Sequence, residues 1–352
     1  MNNNLSSILY FGFNHLNEYK RGVENVILAQ SRATKFARNY YLHPGKTTTV
    51  YRAGDFLCVS LKQTLLWPLL LNIFVLRIKR RGRILVHSHN YLFTLFLIFR
   101  TDIFTVHDGL AYLKKAFESG NLLFFSVIER IVYRRIDYVH FVSRFAKANS
   151  LFRNECPSTI IPNTTRLENV RSSSSSAPVV FEGTKFNVLI VRSIEPRARF
   201  DLLCEVAYRL RTSDYHFVVA GRGPLLDYFR EFCSVRGISN IVFLGYVSDI
   251  LLTRLYANCS AVLMIAEYGE GFGLPIIESY LHNKPVIASN RCAIPEFIIS
   301  PRFLFENNCH DIAAKLDYAK NCHDLDFRSY YSQRFSNLIF TSAFRDLYSL
   351  CE

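Results

Sequence analysis

Two glutamates bracket a short glycine-rich segment in the second half of the chain. Residues 270–278 read EGFGLPIIE, so Glu270 and Glu278 stand eight positions apart. The glycines permit a tight turn or a close approach to a ligand, and the proline suits the first turn of a helix. Glu270 is therefore expected in a loop, and Glu278 about one turn inside the helix that the apolar spacing of 275–283 predicts. The two carboxylates can then face one cleft; a plain turn with a solvated glutamate is the alternative.

The elements that would position these glutamates are read from alternating short apolar runs and helical patterns, which are typical of parallel α/β construction. The predicted strands are SSILYFGF, RILVHSH, DIFTVHD and DYVHFVS in the first half, and FNVLIVRS, YHFVVAG, NIVFLGY, AVLMIA and PVIASN in the second. A chain of 352 residues is longer than a single hydrophobic core usually supports, so two doubly wound domains are expected. We assign them to residues 1–170 and 179–330, with a serine-rich linker at 171–178 and a C-terminal helix at 331–352 that can pack back on the first domain.

Positive charge is concentrated in the first half of the chain. Residues 1–177 contain 24 Lys and Arg against 10 Asp and Glu, whereas residues 178–352 contain 18 against 19. This asymmetry predicts an anionic partner for the first half, namely nucleic acid, an acidic membrane surface or a phosphorylated substrate. Nucleic acid is disfavoured because no recognisable binding module is present. The nine cysteines form no C-x-x-C pair, which argues against a zinc site or a disulfide framework and fits a reducing cytoplasm.

The longest apolar run, residues 65–76, is followed at once by the basic segment RIKRRGR. The run is too short to span a bilayer. A buried helix with a basic end is one interpretation, and a helix lying on an anionic membrane surface is the other. The first residues lack a basic segment followed by a long apolar one, so no signal peptide is expected.

Several segments of the second half resemble the donor-binding domain of retaining glycosyltransferases of family 4, which have the GT-B fold of two Rossmann-like domains facing across a cleft. These segments are VVAGRGP, NIVFLGYVSD, LYANCSAVLMIAEYGEGFGLPIIES and KPVIASNRCAIPEF. Glu270 and Glu278 match the E-x7-E motif of that family. The first half is similar in a looser way, through KRGVENVILAQ, VHSHN, TVHDG, FVSRF and IIPNT. The resemblance covers nearly the whole chain.

The resemblance implies a nucleoside diphosphate sugar on the C-terminal domain and an acceptor on the N-terminal domain. Glu278 would bind the ribose hydroxyls, and Glu270 would hold the donor sugar, because a carboxylate accepts two charge-assisted hydrogen bonds from a vicinal diol. His107 matches the active-site histidine that contacts the donor sugar; a purely structural hydrogen bond is the alternative. The resemblance also assigns the backbone at Phe272, Gly273 and Leu274 to the donor. Gly221 and Gly223 would approach the base or ribose, or simply form a turn. On the diphosphate and acceptor side it assigns Gly12, Gly22, His89 and Asp108. His89 can contact a phosphate or acceptor, or only support its neighbours.

The segment VRSIEPRARF, residues 191–200, departs from the family pattern. Aligned on its proline, Arg192 stands where the family has glycine, and Ala198 stands where it has the lysine that neutralises the diphosphate. A departing diphosphate needs positive charge around it. We hypothesise that Arg197, Arg199 or Arg192 substitutes, with an inactive, degenerate enzyme as the alternative.

The function implied is retaining, metal-independent transfer of a sugar to a hydroxyl of a lipid-linked glycan, in O-antigen or capsule biosynthesis. No cofactor is expected, since the nucleotide sugar is a co-substrate. Asp324 and Asp326 form a D-x-D, which we interpret as the start of a helix rather than a metal site. The SIEPR segment is similar to mannosyltransferases of the family and favours GDP-mannose. The expected location is the cytoplasm, peripheral on the inner face of the membrane. The alternative hypothesis is a non-catalytic protein that binds sugar nucleotides or acts as a scaffold.

Overall fold

The structure, a computed structural model, describes residues 7–17, 22–34, 38–116, 118, 120–170, 180–322 and 324–351. The chain forms two compact units, one of residues up to Thr164 together with Asn337–Glu352, the other of Thr165–Ser336. The boundaries expected at 170 and 330 therefore shift by a few residues. The expected linker at 171–178 lies outside the described residues.

The first unit contains a parallel sheet with one antiparallel edge strand. Its strands are β1 (Ser7–Phe11), β2 (Arg38–Gly45), β3 (Thr49–Ala53), β4 (Phe56–Lys62), β5 (Ile84–Ser88), β6 (Thr101–Val106), β7 (Ile136–Phe141) and β8 (Ser158–Ile160). Its helices are α1 (Gly22–Gln30), α2 (Trp67–Lys79), α3 (Tyr91–Phe96), α4 (Leu110–Ala116), α5 (Leu122–Tyr133) and α6 (Arg144–Ala148). Within the described residues, the sheet order is β3-β4-β2-β1-β5-β6-β7-β8, and only the β3–β4 pair is antiparallel. The carboxyl ends of β1, β5 and β6 thus meet at one edge, where ligands of such sheets bind.

The second unit is a parallel sheet throughout its described part. Its strands are β9 (Phe186–Val191), β10 (Tyr215–Ala220), β11 (Ile241–Gly245), β12 (Ala261–Met264), β13 (Val286–Ser289) and β14 (Leu304–Phe305), in the order β11-β10-β9-β12-β13-β14. Its helices are α7 (Phe200–Arg209), α8 (Leu226–Val235), α9 (Asp249–Asn258), α10 (Leu274–Leu281), α11 (Cys309–Lys320) and α12 (Phe327–Arg334). The order reverses beside β9, so the carboxyl ends of β9 and β12 mark the switch point at which such sheets bind ligands.

The last helix, α13 (Asn337–Ser349), belongs to the first unit rather than the second. Phe340, Phe344 and Tyr348 join α1 in a core on one face of the sheet. Alternate residues of β1 point to opposite faces. Leu9 and Phe11 consequently fill the other core, against α2 and α3.

All nine predicted strands are present, as β1, β5, β6, β7 and β9–β13. Strands β2, β3, β4, β8 and β14 were not predicted from the sequence. The β3–β4 hairpin turns at Gly54, whose φ of 55° lies in the left-handed region that favours glycine. β8 and β14 are three and two residues long, too short to leave a periodic signal.

Helix α2 confirms the helix predicted in the apolar run but is buried on one side only. Leu71, Val75 and Ile78 are buried, whereas Leu66, Leu69, Leu70, Ile73 and Leu76 are exposed. More large apolar side chains are exposed on α3 (Leu92, Phe96) and α5 (Leu122, Leu123, Phe124, Val127, Ile131). Among the described residues, no helix has the length and apolar character needed to cross a membrane.

Candidate functional site

In the second unit, the carboxyl end of β9 lies beside the loop that precedes α10. Arg192 follows β9 directly, and its Nη1 is 3.1 Å from Oε2 of Glu270. The guanidinium is almost fully buried, whereas 18% of the Glu270 side chain is exposed. Burial lowers the pKa of Arg192, and the charge of Glu270 partly offsets this. The ion pair fixes the carboxylate, which can still accept hydrogen bonds from a ligand.

The position expected to carry a lysine holds the buried Ala198, and its neighbour Arg197 reaches the same loop. Nη1 of Arg197 donates to the carbonyl oxygen of Gly269 at 2.7 Å and lies 3.9 Å from Oε2 of Glu270. Its Nε donates to Glu195 at 3.1 Å. Arg192 and Arg197 therefore converge on one carboxylate.

Arg199 is held elsewhere by two other carboxylates. Its Nη1 donates to Glu267 at 2.8 Å, and its Nε and Nη2 donate to Asp201 at 3.0–3.1 Å. The pKa of Arg199 is raised, mainly by its hydrogen bonds to Asp201. Of the three arginines proposed as substitutes, Arg199 is thus the one whose ion-pair partners do not include Glu270.

Glu278 lies on α10 with both carboxylate oxygens occupied. Oε1 accepts a hydrogen bond from the hydroxyl of Thr165 at 3.0 Å, and Oε2 accepts one from the hydroxyl of Tyr256 at 2.9 Å. Burial raises the pKa of Glu278. Each oxygen has a second lone pair, so binding of ribose hydroxyls stays a prediction that these contacts permit.

The backbone at the start of α10 takes a conformation that requires glycine. Gly273 caps the helix with φ 92°, in the left-handed region, and Leu274 is the first helical residue. Pro275 lies in the first turn, as predicted. The ring of Phe272 packs on that of Phe297, with centroids 4.3 Å apart, so this residue offers a ligand only its backbone. The first N–H groups of a helix have no acceptor within it and favour an anion.

Gly221 and Gly223 follow β10, where the chain passes very close to the segment after β9. A Cβ on Gly221 would lie 1.8 Å from the carbonyl oxygen of Arg192, and one on Gly223 would lie 2.2 Å from that of Ile194. Close packing therefore requires both glycines. Their contact with a nucleotide stays a prediction.

In the first unit, His107 and His89 follow β6 and β5 and hydrogen-bond to each other. Nε2 of His107 is 2.9 Å from Nδ1 of His89, whose Nε2 is 3.0 Å from Oε1 of Gln30 at the end of α1. Burial lowers the pKa of His107 to about 3 and that of His89 well below its usual value. Both rings are therefore neutral near pH 7. His89 is buried and His107 only half-buried, which gives His89 a supporting position and leaves His107 accessible.

The other residues predicted on this side lie at the same sheet edge. Gly12 follows β1, and a Cβ there would lie 2.2 Å from the hydroxyl of Tyr41, so close packing requires glycine. Gly22 is the first residue of α1, and Asp108 lies between β6 and α4. Their predicted contacts with an acceptor stay predictions.

A second group of polar residues behind His89 was not predicted from the sequence. It comprises Gln30, His87, Thr105, His140 and Tyr348, all buried. His87 stands two positions before His89 and so shares its face of the strand, which was a usable signal. The others come together only through tertiary packing.

The second unit also matches a known family. Residues 173–334, just under half of the chain, match the sequence model described as "Glycosyl transferases group 1". The second unit is thus similar to group 1 glycosyl transferases, and it is called the group 1 domain below.

Curated relatives of this group 1 domain align over short stretches. An uncharacterized glycosyltransferase of Methanocaldococcus jannaschii is 30% identical over 104 residues, 28% of this chain and 26% of the relative. O-antigen chain mannosyltransferase B of Escherichia coli is 32% identical over 105 residues, 30% of this chain and 24% of the relative. The chain thus spans about a quarter of these relatives.

Solved structures resemble the whole chain, including the group 1 domain. Sucrose-phosphate synthase of Thermosynechococcus elongatus has a TM-score of 0.78 at 15% identity, covering 98% of each chain. HepE of Anabaena, in complex with UDP and glucose, has a TM-score of 0.75 at 16% identity, covering 98% of this chain and 99% of HepE. WaaG, a glycosyltransferase involved in lipopolysaccharide biosynthesis, has a TM-score of 0.68 at 15% identity, covering 98% of this chain and 97% of WaaG. The likeness shows the fold, which is GT-B, with both units Rossmann-like.

The D-x-D after the last strand of the group 1 domain serves a helix. Asp326 caps α12 by accepting a hydrogen bond from the backbone N–H of Ser329 at 2.9 Å, as predicted. Across the part of the chain that the structure describes, no three His, Cys, Asp or Glu side chains are grouped to hold a metal ion.

Proposed function

We propose that this protein is a retaining glycosyltransferase that moves a sugar from a nucleoside diphosphate sugar to a hydroxyl of a lipid-linked glycan. The observation that carries the proposal is the Arg192–Glu270 pair at the switch point of the group 1 domain, next to the N-terminus of α10. A fixed carboxylate binds sugar hydroxyls. Buried guanidinium charge and the positive end of the helix dipole stabilise a departing diphosphate. The co-substrate is the nucleotide sugar, and no metal or other cofactor is required.

The acceptor side of the proposal rests on the relatives and on the surface of the first unit. The similarity to O-antigen chain mannosyltransferase B of Escherichia coli supports a surface polysaccharide as product and mannose as the transferred sugar, for which the donor we propose is GDP-mannose. A relative of Klebsiella pneumoniae is described as a protein in a cps region. The exposed apolar side chains of α2 end in a basic segment, a combination that suits the anionic inner face of the cytoplasmic membrane.

Retention would follow from attack on the same face of the sugar that the diphosphate leaves. The E-x7-E segment supplies no obvious covalent nucleophile, so the chain's residues would bind and orient rather than form an intermediate. His107 would contact the donor sugar, with its neutral ring accepting or donating a hydrogen bond. Exclusion of water would protect the reacting carbon from hydrolysis.

The test is stabilisation by nucleoside diphosphate sugars, followed by turnover. A ligand at 100 times its Kd adds about 2.7 kcal/mol to the free energy of unfolding. We expect one nucleotide class to raise the Tm of the wild type, Glu278→Gln to abolish that rise, and Glu270→Gln to keep nucleotide binding but lose sugar transfer to a lipid-linked acceptor. EDTA should leave transfer unchanged.

Two outcomes separate the alternatives. No stabilisation by any nucleoside diphosphate sugar contradicts the proposal. Stabilisation without turnover, with a full set of lipid-linked acceptors, favours the competing function, a degenerate sugar-nucleotide-binding or scaffold protein, which the buried Ala198 motivates.

A further inference from the structure

A chain of buried hydrogen bonds in the first unit has only one consistent direction. It starts at the carbonyl oxygen of Ile161, which is 2.9 Å from Nε2 of His140. A carbonyl only accepts, so this nitrogen carries a proton. Burial lowers the pKa of His140 to about 4, so the ring is neutral and its Nδ1 has no proton. Nδ1 therefore accepts from the hydroxyl of Thr105, 2.9 Å away.

Thr105 has one hydroxyl proton, which it gives to His140. Its other partners must then donate to its oxygen. These are Nε2 of His87 at 2.7 Å and the side-chain nitrogen of Gln30 at 3.5 Å, the latter being the longest of these hydrogen bonds. The Gln30 amide is thereby oriented with its NH2 toward Thr105 and its oxygen away.

The oriented amide determines the two histidines at the sheet edge. Oε1 of Gln30 accepts from Nε2 of His89 at 3.0 Å, so Nδ1 of the neutral His89 carries no proton. Nε2 of His107, 2.9 Å from that Nδ1, must be the donor. The remaining nitrogen of His107, Nδ1, is then an unprotonated acceptor, and no described residue hydrogen-bonds to it.

We propose that Gln30 and Thr105 are positioning residues, which together hold His107 in the tautomer with Nε2 protonated and Nδ1 free to accept a hydrogen bond. The inferred role of that acceptor, which rests on the proposed function, is to receive a proton-bearing hydroxyl of the donor sugar. The opposite tautomer would require the Gln30 amide to turn over. Its oxygen would then face a Thr105 oxygen that has no proton to give, a repulsive contact.

A second series of hydrogen bonds, on the other side of His87, supports the same donor and acceptor assignment. Nδ1 of His87 accepts from the hydroxyl of Tyr348 at 3.0 Å, and Tyr348 in turn lies 3.2 Å from the hydroxyl of Tyr10. Every donor in this series faces an acceptor only if Nε2 of His87 donates to Thr105 and its Nδ1 accepts from Tyr348. α13 thus takes part in fixing the same proton arrangement, because Tyr348 lies on it.

The experiment is long-range ¹H–¹⁵N NMR on the ligand-free, full chain labelled with ¹⁵N-histidine, with His107 assigned by loss of its signals in His107→Gln. We expect wild-type His107 to show an unprotonated Nδ1 and a protonated Nε2. Thr105→Val, which is nearly isosteric, and Gln30→Met should give a mixture of tautomers. Thr105→Ser, which keeps the hydroxyl, should restore the single tautomer.

The activity readout is kept separate. In Thr105→Val we expect kcat for transfer to fall about tenfold, with nucleotide affinity unchanged and with recovery in Thr105→Ser. A protonated Nδ1 in wild-type His107, or a single tautomer retained in both Thr105→Val and Gln30→Met, would overturn the proposal. Absence of any transfer by the wild type would count against the proposed function alone, because the tautomers are read in the free protein.

Discussion

Three arginines between residues 192 and 199 differ in what neutralises them. Arg199 is held by Asp201 and Glu267 and forms no ion pair with Glu270. Arg192 has Glu270 as its ion-pair partner, and that carboxylate is also within 3.9 Å of Arg197. The structure therefore favours Arg192 and Arg197, rather than Arg199, as replacements for the lysine missing at position 198. The hypothesis that any of the three arginines replaces this lysine is thereby reduced to Arg192 and Arg197.

Substitution of these arginines should separate their roles. We expect Arg192→Gln to lower kcat/KM for the donor by about 100-fold, since one charge on a departing diphosphate contributes on the order of 3 kcal/mol to the transition state. Arg199→Gln should change kcat/KM by less than about threefold, because its guanidinium serves a surface ion-pair cluster. Steady-state kinetics with nucleotide sugar check both.

The control for Arg192 addresses folding. Removing one partner of a largely buried ion pair also destabilises the protein. Arg192→Lys keeps the charge and should retain most of the activity, and the Tm of each variant shows whether the domain is intact. Equal losses in Arg192→Gln and Arg199→Gln at unchanged Tm would contradict the assignment.

Helix α2 has an exposed apolar side that the packing of the first unit does not explain. Leu66, Leu69 and Leu70 are more than 40% exposed, although the opposite side of the helix fills a core. Arg77 and Lys79 lie in the last turn, and Arg80 and Arg81 follow, both exposed. The buried-helix interpretation of residues 65–83 therefore holds for one side only. A helix with apolar residues beside basic ones is the type that binds anionic lipid surfaces.

Vesicle flotation tests this reading of α2. We expect the wild type to float with vesicles containing phosphatidylglycerol and not with neutral phosphatidylcholine. Arg80→Glu/Arg81→Glu should weaken binding by at least about tenfold, since each basic residue near such a surface contributes about 1 kcal/mol. Leu69→Gln/Leu70→Gln should do the same.

The control is Val235→Gln, which replaces an even more exposed apolar residue of the second unit. It should leave flotation unchanged. Wild-type binding that is equal on neutral and anionic vesicles, or unaffected by both α2 variants, would remove the membrane proposal.

The sequence predicted the strands whose apolar runs are continuous and the loops whose glycines and glutamates form a pattern. EGFGLPIIE gave the turn at Gly273, the start of α10 and the loop position of Glu270, because these depend on local backbone chemistry. It could not give Thr165 or Tyr256 as partners of Glu278, since they lie 113 and 22 positions away. Nor could it show that Arg199 turns toward Asp201 and Glu267. Such contacts are decided by tertiary packing, which the spacing of residues along the sequence does not reveal.

The last helix, α13, completes the core of the first unit. α13 brings Phe340, Phe344 and Tyr348 into the core beside α1, and His87 and His140 lie against Phe344. Four histidines, counted over the described residues, are thus neutral inside this unit, with pKa values lowered by burial. Stability should therefore depend on pH.

His140 gives that dependence a definite sign. In the unfolded chain a histidine takes up a proton near pH 6.5, whereas folded His140 stays neutral down to a pKa of about 4. Between these values the unfolded state binds more protons. The free energy of unfolding therefore falls as the pH falls, by about 1.4 kcal/mol per pH unit for each such histidine, and is fully regained above about pH 6.5.

The measurement compares wild type with His140→Gln by urea unfolding from pH 7.5 to pH 4.5. Glutamine can still donate to the Ile161 carbonyl and accept from Thr105, but it does not titrate. Buried Glu24, Asp102, Glu129 and Glu278, whose pKa values are raised by burial, shift stability the opposite way but cancel in the comparison. We expect the wild type to lose about 1.4 kcal/mol more than the variant per pH unit below 6.5. Parallel pH curves for the two proteins would mean that His140 titrates alike in the folded and unfolded states, and the lowering of its pKa by burial would then be wrong.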